Sequence, residues 1–280
     1  MLMLTVFSSS SKGANVGDIA YKAADGSIKV VNPDKWNASL GTPIGVVVIP
    51  SGFTPNGKAQ ILSLNWVSSS GTSSTSAKSM NWGGYGTDTS LTNYTRVPIT
   101  DNAGSTTTGA AVDAYLPSDK FTGTVSYVDP LTQYSGTSRT MIPSPYLGDK
   151  PNPAYYAPIS GYNNALADFD GKGNTDVLVG LGADYVAANA ARNYKAEGAE
   201  ETEWYLPAAG ELGYMMVRFN KIQAALTKVN APQLDAYGTY RSSSEYSSYY
   251  AYNVDAYNGR VSYGHKGSGC YVRPFAQLDF

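Results

Sequence analysis

Short apolar runs separated by turn residues predict β-strands in the first quarter of the chain. Residues 16–22 and 27–32 flank the dipeptide Asp25-Gly26, an arrangement typical of a β-hairpin. Residues 43–50 form an apolar run that begins and ends with proline, which predicts a buried strand. Apolar positions recur in residues 59–67 and predict a further strand.

A helical period replaces these runs in the middle of the chain. We expect Asn174 or Thr175 to cap a helix, because a short polar side chain can accept a hydrogen bond from the first free backbone N–H groups. The inner side of this helix is predicted to carry Val177, Leu178 and Leu181. A second helix is predicted to follow, through Tyr185, Val186 and Ala190.

The strongest helical pattern begins at Pro207, a residue that suits the first turn of a helix. An apolar stripe marks the inner face of this helix: Leu212, Met215, Met216 and Phe219. Asn220, followed three residues later by Gln223, predicts a cap that restarts the helix through Leu226.

The C-terminal part returns to a period of two, and Asn258-Gly259 predicts a hairpin because a type I′ turn requires positive φ at both central residues. On the incoming strand, alternate residues are predicted to face the core: Tyr252, Val254 and Ala256. The residues between and after them are predicted to point outward: Asn253, Asp255 and Tyr257. On the return strand, we expect two residues inside and two outside: Val261 and Tyr263, then Arg260 and Ser262.

The order of these elements is strands, loops, helices and then antiparallel strands, which indicates an α+β fold rather than alternating βαβ units. Residues 1–15 have no core of their own, so we expect them to form an N-terminal arm. We expect residues 16–280 to form a single domain. Residues 68–157 are rich in Ser, Thr, Gly, Asn and Pro. We therefore expect a loop-rich insertion there, with a flexible segment at 68–76 and a short strand within 121–128.

Composition and charge exclude several classes of function. The 280 residues carry a net charge of −2, only 15% are charged, and Lys and Arg do not cluster. A nucleic-acid partner is not expected, because phosphate binding requires a basic surface. The single Cys allows neither a disulfide within the chain nor a Cys-based zinc site. No apolar run is long enough to insert into a membrane, and the N-terminal residues lack the basic region and cleavage site of a secretory signal.

Two stretches invite a chemical interpretation, and neither is complete. Asp168, Asp170, Asn174 and Asp176 fall on ligand positions of a twelve-residue calcium loop. However, Lys172 occupies the fifth position and Gly180 occupies the twelfth, where a bidentate Glu belongs. The other stretch holds His265 and Cys270, which form the only possible Cys/His pair, and no orienting carboxylate accompanies them. We therefore expect no enzymatic activity and no cofactor.

Residues 237–275 have a distinctive composition: nine of these 39 residues are Tyr and seven are Ser. Antibody paratopes use the same residues, because Tyr provides large rigid contact area and Ser provides adaptable hydrogen bonding. The alternative is a solvated hairpin whose surface residues have no function. The mixture of an acid, a base, a phenol, an amide and a hydroxyl at the predicted exposed positions favours a binding face.

Several motifs resemble one family. Residues 204–212 read Trp-x-Leu-Pro-x-x-x-Glu-Leu, and residues 240–245 read Tyr-x-Ser-Ser-x-Glu. Ala-x-x-Val, Asn-Gly and Tyr-Val-Arg-Pro-Phe follow, while Val-Gly-Asp-Ile-Ala-Tyr and Thr-Pro-Ile-Gly-Val-Val occur near the N-terminus. Together they resemble C-type-lectin-like domains related to the formylglycine-generating enzyme fold, which occur in gut-bacterial surface proteins and their phages.

The resemblance implies a C-type-lectin-like fold without the enzymatic activity, because that activity depends on cysteines this chain lacks. A closer parallel is the variable protein of a diversity-generating retroelement, in which adenine-directed mutagenesis diversifies exposed positions of the C-terminal segment. The resulting residue types match those at the predicted outward positions. The predicted ligand-binding residues are Tyr249, Tyr250, Asn253, Asp255, Tyr257, Arg260, Ser262, His265, Ser268 and Cys270.

These observations together predict a non-enzymatic binding protein that recognises a host-cell surface protein or glycan. Without a secretory signal, a displayed protein would need another route, such as assembly into a virus particle. We therefore expect a receptor-binding component of a phage tail, which could form a homo-oligomer within a larger assembly. Two alternatives remain open at this point: a bacterial surface or pilus-tip adhesin of the same fold, and a calcium-dependent glycan-binding lectin.

Overall fold

A computed structural model describes residues 13–51, 54, 56–89, 91, 126–128, 138–140, 168–256 and 261–280. The Asn258-Gly259 turn, Tyr257, Arg260 and most of the predicted insertion lie outside the described residues, as does most of the predicted N-terminal arm. Strands come first along the chain, helices follow in the middle, and strands return at the C-terminus. Antiparallel pairing predominates, so the predicted α+β class is confirmed.

One sheet has six antiparallel strands in the spatial order β10-β15-β4-β3-β1-β2. Its strands are β1 (Ile19–Ala23), β2 (Ile28–Val31), β3 (Gly41–Ile49), β4 (Ala59–Ser63), β10 (Trp204–Tyr205) and β15 (Phe275–Leu278). β1 and β2 pair as the predicted hairpin around Asp25-Gly26. β3 is buried on both faces, as its continuous apolar sequence predicts: Val46 and Val48 contribute to one core cluster, and Val47 contributes to a second.

A second sheet has five strands in the order β13-β12-β11-β14-β7. They are β7 (Ser79–Met80), β11 (Thr239–Glu245), β12 (Tyr250–Asp255), β13 (Val261–His265) and β14 (Cys270–Tyr271). β12 and β13 form the predicted C-terminal hairpin. β11 pairs with β14 in parallel, and the other pairs are antiparallel. Among the described strands, β13 therefore lies at one edge of this sheet.

Two small hairpins are present in and next to the region predicted to be rich in loops. β5 (Trp66–Val67) pairs with β6 (Ser73–Ser74), so the predicted single strand at 59–67 is divided between two sheets. The segment predicted to be flexible at 68–76 contains a hydrogen-bonded turn, in which the Ser68 N–H donates to Thr72 O at 2.9 Å, followed by β6. The predicted strand within 121–128 is present as β8 (Ser126–Val128), which pairs with β9 (Ser138–Thr140).

Among the described residues, four α-helices occupy the middle of the chain: α1 (Gly171–Leu181), α2 (Val186–Asn193), α3 (Ala209–Val217) and α4 (Phe219–Lys228). The predicted cap of α1 at Asn174 or Thr175 is wrong, because the helix begins four residues earlier. The Asp170 carboxylate caps it by accepting a hydrogen bond from the Gly173 N–H at 3.0 Å. Because α1 begins earlier than predicted, the residues that face the core also differ from the prediction.

The predicted inner face of α1 is correct only for Leu178, which is 1% exposed, whereas Val177 and Leu181 are 43% and 54% exposed. In α3 and α4 the predicted apolar stripe is buried in one core cluster. The two helices are separated at Arg218, so α4 begins at Phe219 rather than at the predicted Asn220 cap. In the part of the chain that the structure describes, no helix has the length and apolar character needed to cross a membrane.

Candidate binding surface

Exposed aromatic side chains gather at one end of the five-stranded sheet. Tyr246 and Tyr249 lie in the turn between β11 and β12, Tyr250 begins β12, and Tyr263 and His265 lie on β13. Tyr85 reaches them from the loop that follows β7. We refer to these six residues as the aromatic patch: Tyr85, Tyr246, Tyr249, Tyr250, Tyr263 and His265. The five tyrosines are each between 38% and 56% exposed.

The rings of the aromatic patch contact one another continuously. Tyr246 and Tyr263 stack with their centroids 4.2 Å apart and their planes only 4° from parallel. Tyr250 packs edge-on against Tyr263 at 5.4 Å and against His265 at 6.0 Å.

Tyr85 extends this array from the other side. Its ring lies 4.3 Å from the His265 imidazole and 5.1 Å from Tyr249. Aromatic pairs at such spacings contribute about 0.5–1.5 kcal/mol each beyond simple burial, so the rings constrain one another's rotamers.

The register of β12 and β13 explains why these rings converge. Tyr250 pairs with His265 and Tyr252 pairs with Tyr263, so all four side chains lie on the same face of the hairpin. Tyr252, 3% exposed, packs under Tyr246 at 5.4 Å and anchors the patch to the core. Tyr263 was predicted to face inward, and it does lie on the core face. It is nonetheless 41% exposed, because β13 is an edge strand.

The structure brings only some of the predicted binding residues together. Tyr249, Tyr250 and His265 are in the aromatic patch, and Ser268 is exposed in the turn after β13, where its N–H donates to His265 O at 2.9 Å. Asp255 and Ser262 are half-buried, and by strand alternation they lie on the opposite face of the hairpin. The Asp255 carboxylate accepts a hydrogen bond from the Thr239 hydroxyl at 2.7 Å.

Asn253 and Cys270 were predicted to be outward-facing, and this prediction is wrong. They are 4% and 7% exposed. Asn253 Oδ1 accepts a hydrogen bond from Arg241 Nη1 at 2.8 Å, and Arg241 Nη2 donates to Ser268 O at 2.6 Å. Burial raises the pKa of the Cys270 thiol. Both residues therefore belong to the interior that supports the hairpin rather than to its surface.

A buried ion pair adjoins the chain segments that carry the aromatic patch. Lys266 Nζ and Glu245 Oε1 are 2.5 Å apart, and both side chains have no exposed surface. The Lys266 ammonium also lies 4.5 Å from the centre of the Trp82 ring. Because Lys266 follows His265 and Glu245 precedes Tyr246, the pair joins the two chain segments that carry most of the patch.

The acidic residues considered as calcium ligands have structural roles. The Asp168 carboxylate is buried and accepts hydrogen bonds from the Ser244 hydroxyl at 2.7 Å and from Asn174 Nδ2 at 2.9 Å. Asp176 forms ion pairs with Lys172 and Arg192 on the surface. Since α1 begins at Gly171, a helix replaces the loop that the calcium hypothesis requires. Within the described ranges, no group of three or more His, Cys, Asp or Glu residues is placed to hold a metal ion.

Three tyrosines of the aromatic patch are not among the binding residues predicted from the sequence: Tyr85, Tyr246 and Tyr263. Tyr246 and Tyr263 lie in the Tyr/Ser-rich segment, so their composition was a usable signal. Tyr85 had no such signal, because only the tertiary fold brings its loop to β13. The patch thus draws on a segment far from the C-terminus.

Comparisons with known proteins place few constraints on this chain. No protein-family model matches it, and no curated protein matches it. Among solved structures, a fimbrial protein from Bacteroides ovatus is similar, with 21% identity and a TM-score of 0.45. The match covers 94% of this chain and 49% of the fimbrial protein, so this chain spans about half of that protein's length.

Proposed function

We propose that this protein is a non-enzymatic binding protein that recognises a component of a cell surface through the aromatic patch. The observation that carries the proposal is the contiguity of the patch: five exposed tyrosines and one His form an unbroken set of ring contacts. Contiguous exposed apolar area is uncommon on soluble proteins and is typical of interaction sites.

The chemistry of the patch suits recognition by contact area rather than by charge. Tyr is enriched at binding hot spots, because its ring supplies apolar area and its hydroxyl supplies a hydrogen bond. The rings already hold one another in place, so binding would sacrifice little side-chain entropy. The charges of Glu245 and Lys266, which adjoin the segments of the patch, are buried and paired with each other.

The arrangement also supports the finer assignment that the sequence motifs imply, a C-type-lectin-like scaffold with a diversified surface. The motif residues Trp204, Glu211 and Leu212 are buried, as scaffold residues should be. Glu211 Oε2 accepts a hydrogen bond from the Ala208 N–H at 2.8 Å, which holds the start of α3. Four of the predicted binding residues instead lie where replacement of the side chain would leave this buried scaffold unchanged: Tyr249, Tyr250, His265 and Ser268.

We propose a receptor-binding component of a phage tail as the carrier of this surface, with a host-cell surface protein or glycan as the target. A bacterial surface or pilus-tip adhesin would use the same patch with a different carrier. Immunogold labelling of phage particles and of bacterial cells from the source culture separates them: label on tails supports the first, and label on the cell envelope supports the second.

Binding of the fluorescently labelled chain to a panel of intact bacterial cells, and to a glycan array, tests the proposal. We expect the variant Tyr249→Ala/Tyr250→Ala to lose binding while its melting temperature stays near that of the unsubstituted protein. Tyr237→Ala is the matched control, because Tyr237 is 78% exposed and lies outside the aromatic patch. Undiminished binding by the double variant would refute the proposed site.

A further inference from the structure

Three chain segments meet at the Glu245–Lys266 ion pair. Glu245 ends β11, and Lys266 directly follows β13. Lys266 Nζ also donates a hydrogen bond to Thr87 O at 2.7 Å, and Glu245 Oε2 accepts hydrogen bonds from the Thr89 N–H at 3.0 Å and the Thr89 hydroxyl at 2.7 Å. The ion pair therefore reaches into the loop that carries Tyr85.

The backbone of Lys266 joins two of these segments again. Its N–H donates to Tyr249 O at 2.9 Å, and its carbonyl accepts from the Trp82 N–H at 2.8 Å. Nearby, the Gly86 N–H donates to Ser248 O at 2.9 Å. Residues 81–89 contain no strand or helix, so these bonds substitute for a sheet ladder in holding the loop against the hairpin.

A buried ion pair is a poor source of stability, because desolvation of two charges offsets most of their attraction and an apolar pair of similar volume serves as well. The distinctive property of this pair is geometric. Its charged groups form hydrogen bonds with two loop residues, Thr87 and Thr89. An apolar pair could not form these bonds.

From this geometry we infer that Glu245 and Lys266 are positioning residues for the binding surface. They hold the Tyr85 loop, the turn at Tyr246 and Tyr249, and the end of β13 in one arrangement, so that Tyr85 completes the aromatic patch. This inference rests on the proposed function of the patch, but the arrangement itself can be measured without a ligand.

The only His of the chain provides the probe, because its imidazole signal in a proton NMR spectrum needs no further assignment. The His265 ring lies 4.3 Å from the Tyr85 ring, whose ring current must shift that signal. Tyr85→Ala supplies the reference position for a His265 that lacks this neighbour.

The test variant is Glu245→Met/Lys266→Met, in which both charges are replaced together. We expect it to fold, with its His265 signal moved toward that of Tyr85→Ala, and with exchange of the Thr89 amide faster by about tenfold or more. Ile222→Ala is the matched control, because it weakens the core in α4 without touching the ion pair, and it should leave the His265 signal unchanged. A folded double variant with the His265 signal of the unsubstituted protein would overturn the inference.

Two further measurements keep the inference testable if the double variant does not fold. Thr89→Val removes one hydrogen bond to Glu245 and retains the ion pair, and it should move the His265 signal in the same direction by a smaller amount. In the unsubstituted protein, the amides of Gly86 and Thr89 should exchange more slowly than exposed loop amides. Unprotected amides, or no change in Thr89→Val, would overturn the inference while leaving the cell-binding test of the patch unaffected.

Discussion

The imidazole ring of His265 lies 4.3 Å from the ring of Tyr85, centroid to centroid, with a 36° angle between their planes. One residue ends the edge strand of the C-terminal hairpin, and the other lies in a loop after β7. Their contact means that two distant parts of the chain form the aromatic patch. It also makes Tyr85 the most direct place to test whether the loop takes part in recognition.

We predict that Tyr85→Ala lowers the affinity for the cellular target by about thirtyfold or more, because loss of an aromatic hot-spot residue costs roughly 2 kcal/mol or more. The free energy of unfolding should change by only about 0.5 kcal/mol, since the Tyr85 side chain is 56% exposed. Titration of labelled protein onto cells and thermal melting measure the two effects. Equal affinity of Tyr85→Ala and Tyr237→Ala would show that the loop is not part of the site.

Two leucines on different helices allow a test of burial with the same substitution. Leu212 on α3 is 1% exposed, so Leu212→Ala should lower the free energy of unfolding by about 2–5 kcal/mol. Leu181 on α1 is 54% exposed, so Leu181→Ala should change it by about 0.5 kcal/mol or less. Urea denaturation measures both, and a large effect at Leu181 would contradict the observed orientation of α1.

Two lysines allow a similar test for ion pairs. Lys266→Met leaves Glu245 buried without its partner and should cost about 3–5 kcal/mol of stability. Lys172→Met, at a partly exposed lysine paired with Asp176 and Glu203, should cost about 1 kcal/mol or less. Addition of Glu245→Met should restore much of the stability lost in Lys266→Met, as measured by denaturation. If that rescue fails, the stability lost in Lys266→Met comes from the surrounding packing rather than from the broken ion pair.

Two buried carboxyl groups predict how stability depends on pH. Burial raises the pKa of Glu211 from 4.5 to about 8 and that of Asp168 from 3.8 to about 6. A folded-state pKa above the unfolded value means that the folded protein binds more protons, so the contribution of these groups to stability is complete below the unfolded pKa values and is lost as pH rises. The free energy of unfolding should begin to decline near pH 4. The contribution of Asp168 is lost by about pH 6, and that of Glu211 is lost by about pH 8.

Melting temperatures measured across this range test the prediction. The variant Glu211→Gln cannot ionise, so its stability should fall less steeply with pH between about pH 6 and pH 8, whatever its absolute value. Asp168→Asn should flatten the lower part of the range. A melting temperature that rises steadily from pH 5 to about pH 8 would contradict the assignment of these two carboxyls as the dominant titrating groups.

Local sequence patterns determined much of the framework. The hairpin at Asp25-Gly26, the buried strand β3 and the apolar stripe of α3 and α4 were all predicted, because turn chemistry and hydrophobic period act over a few residues. The concentration of Tyr and Ser in residues 237–275 likewise indicated which part of the chain carries the exposed surface. These features depend on residues that are close along the chain, so they do not depend on where the segment lies in the tertiary structure.

Tertiary structure alone decided which of those residues reach solvent. Strand alternation placed Asn253 outside, yet β12 is buried on both faces because Arg241 and Cys270 pack against the side that the pattern left free. Tyr85 joined the patch because a loop after β7 is hydrogen-bonded to Glu245 and Lys266. Burial and ring contact are properties of what lies opposite a side chain in space, and no periodicity within one strand encodes that partner.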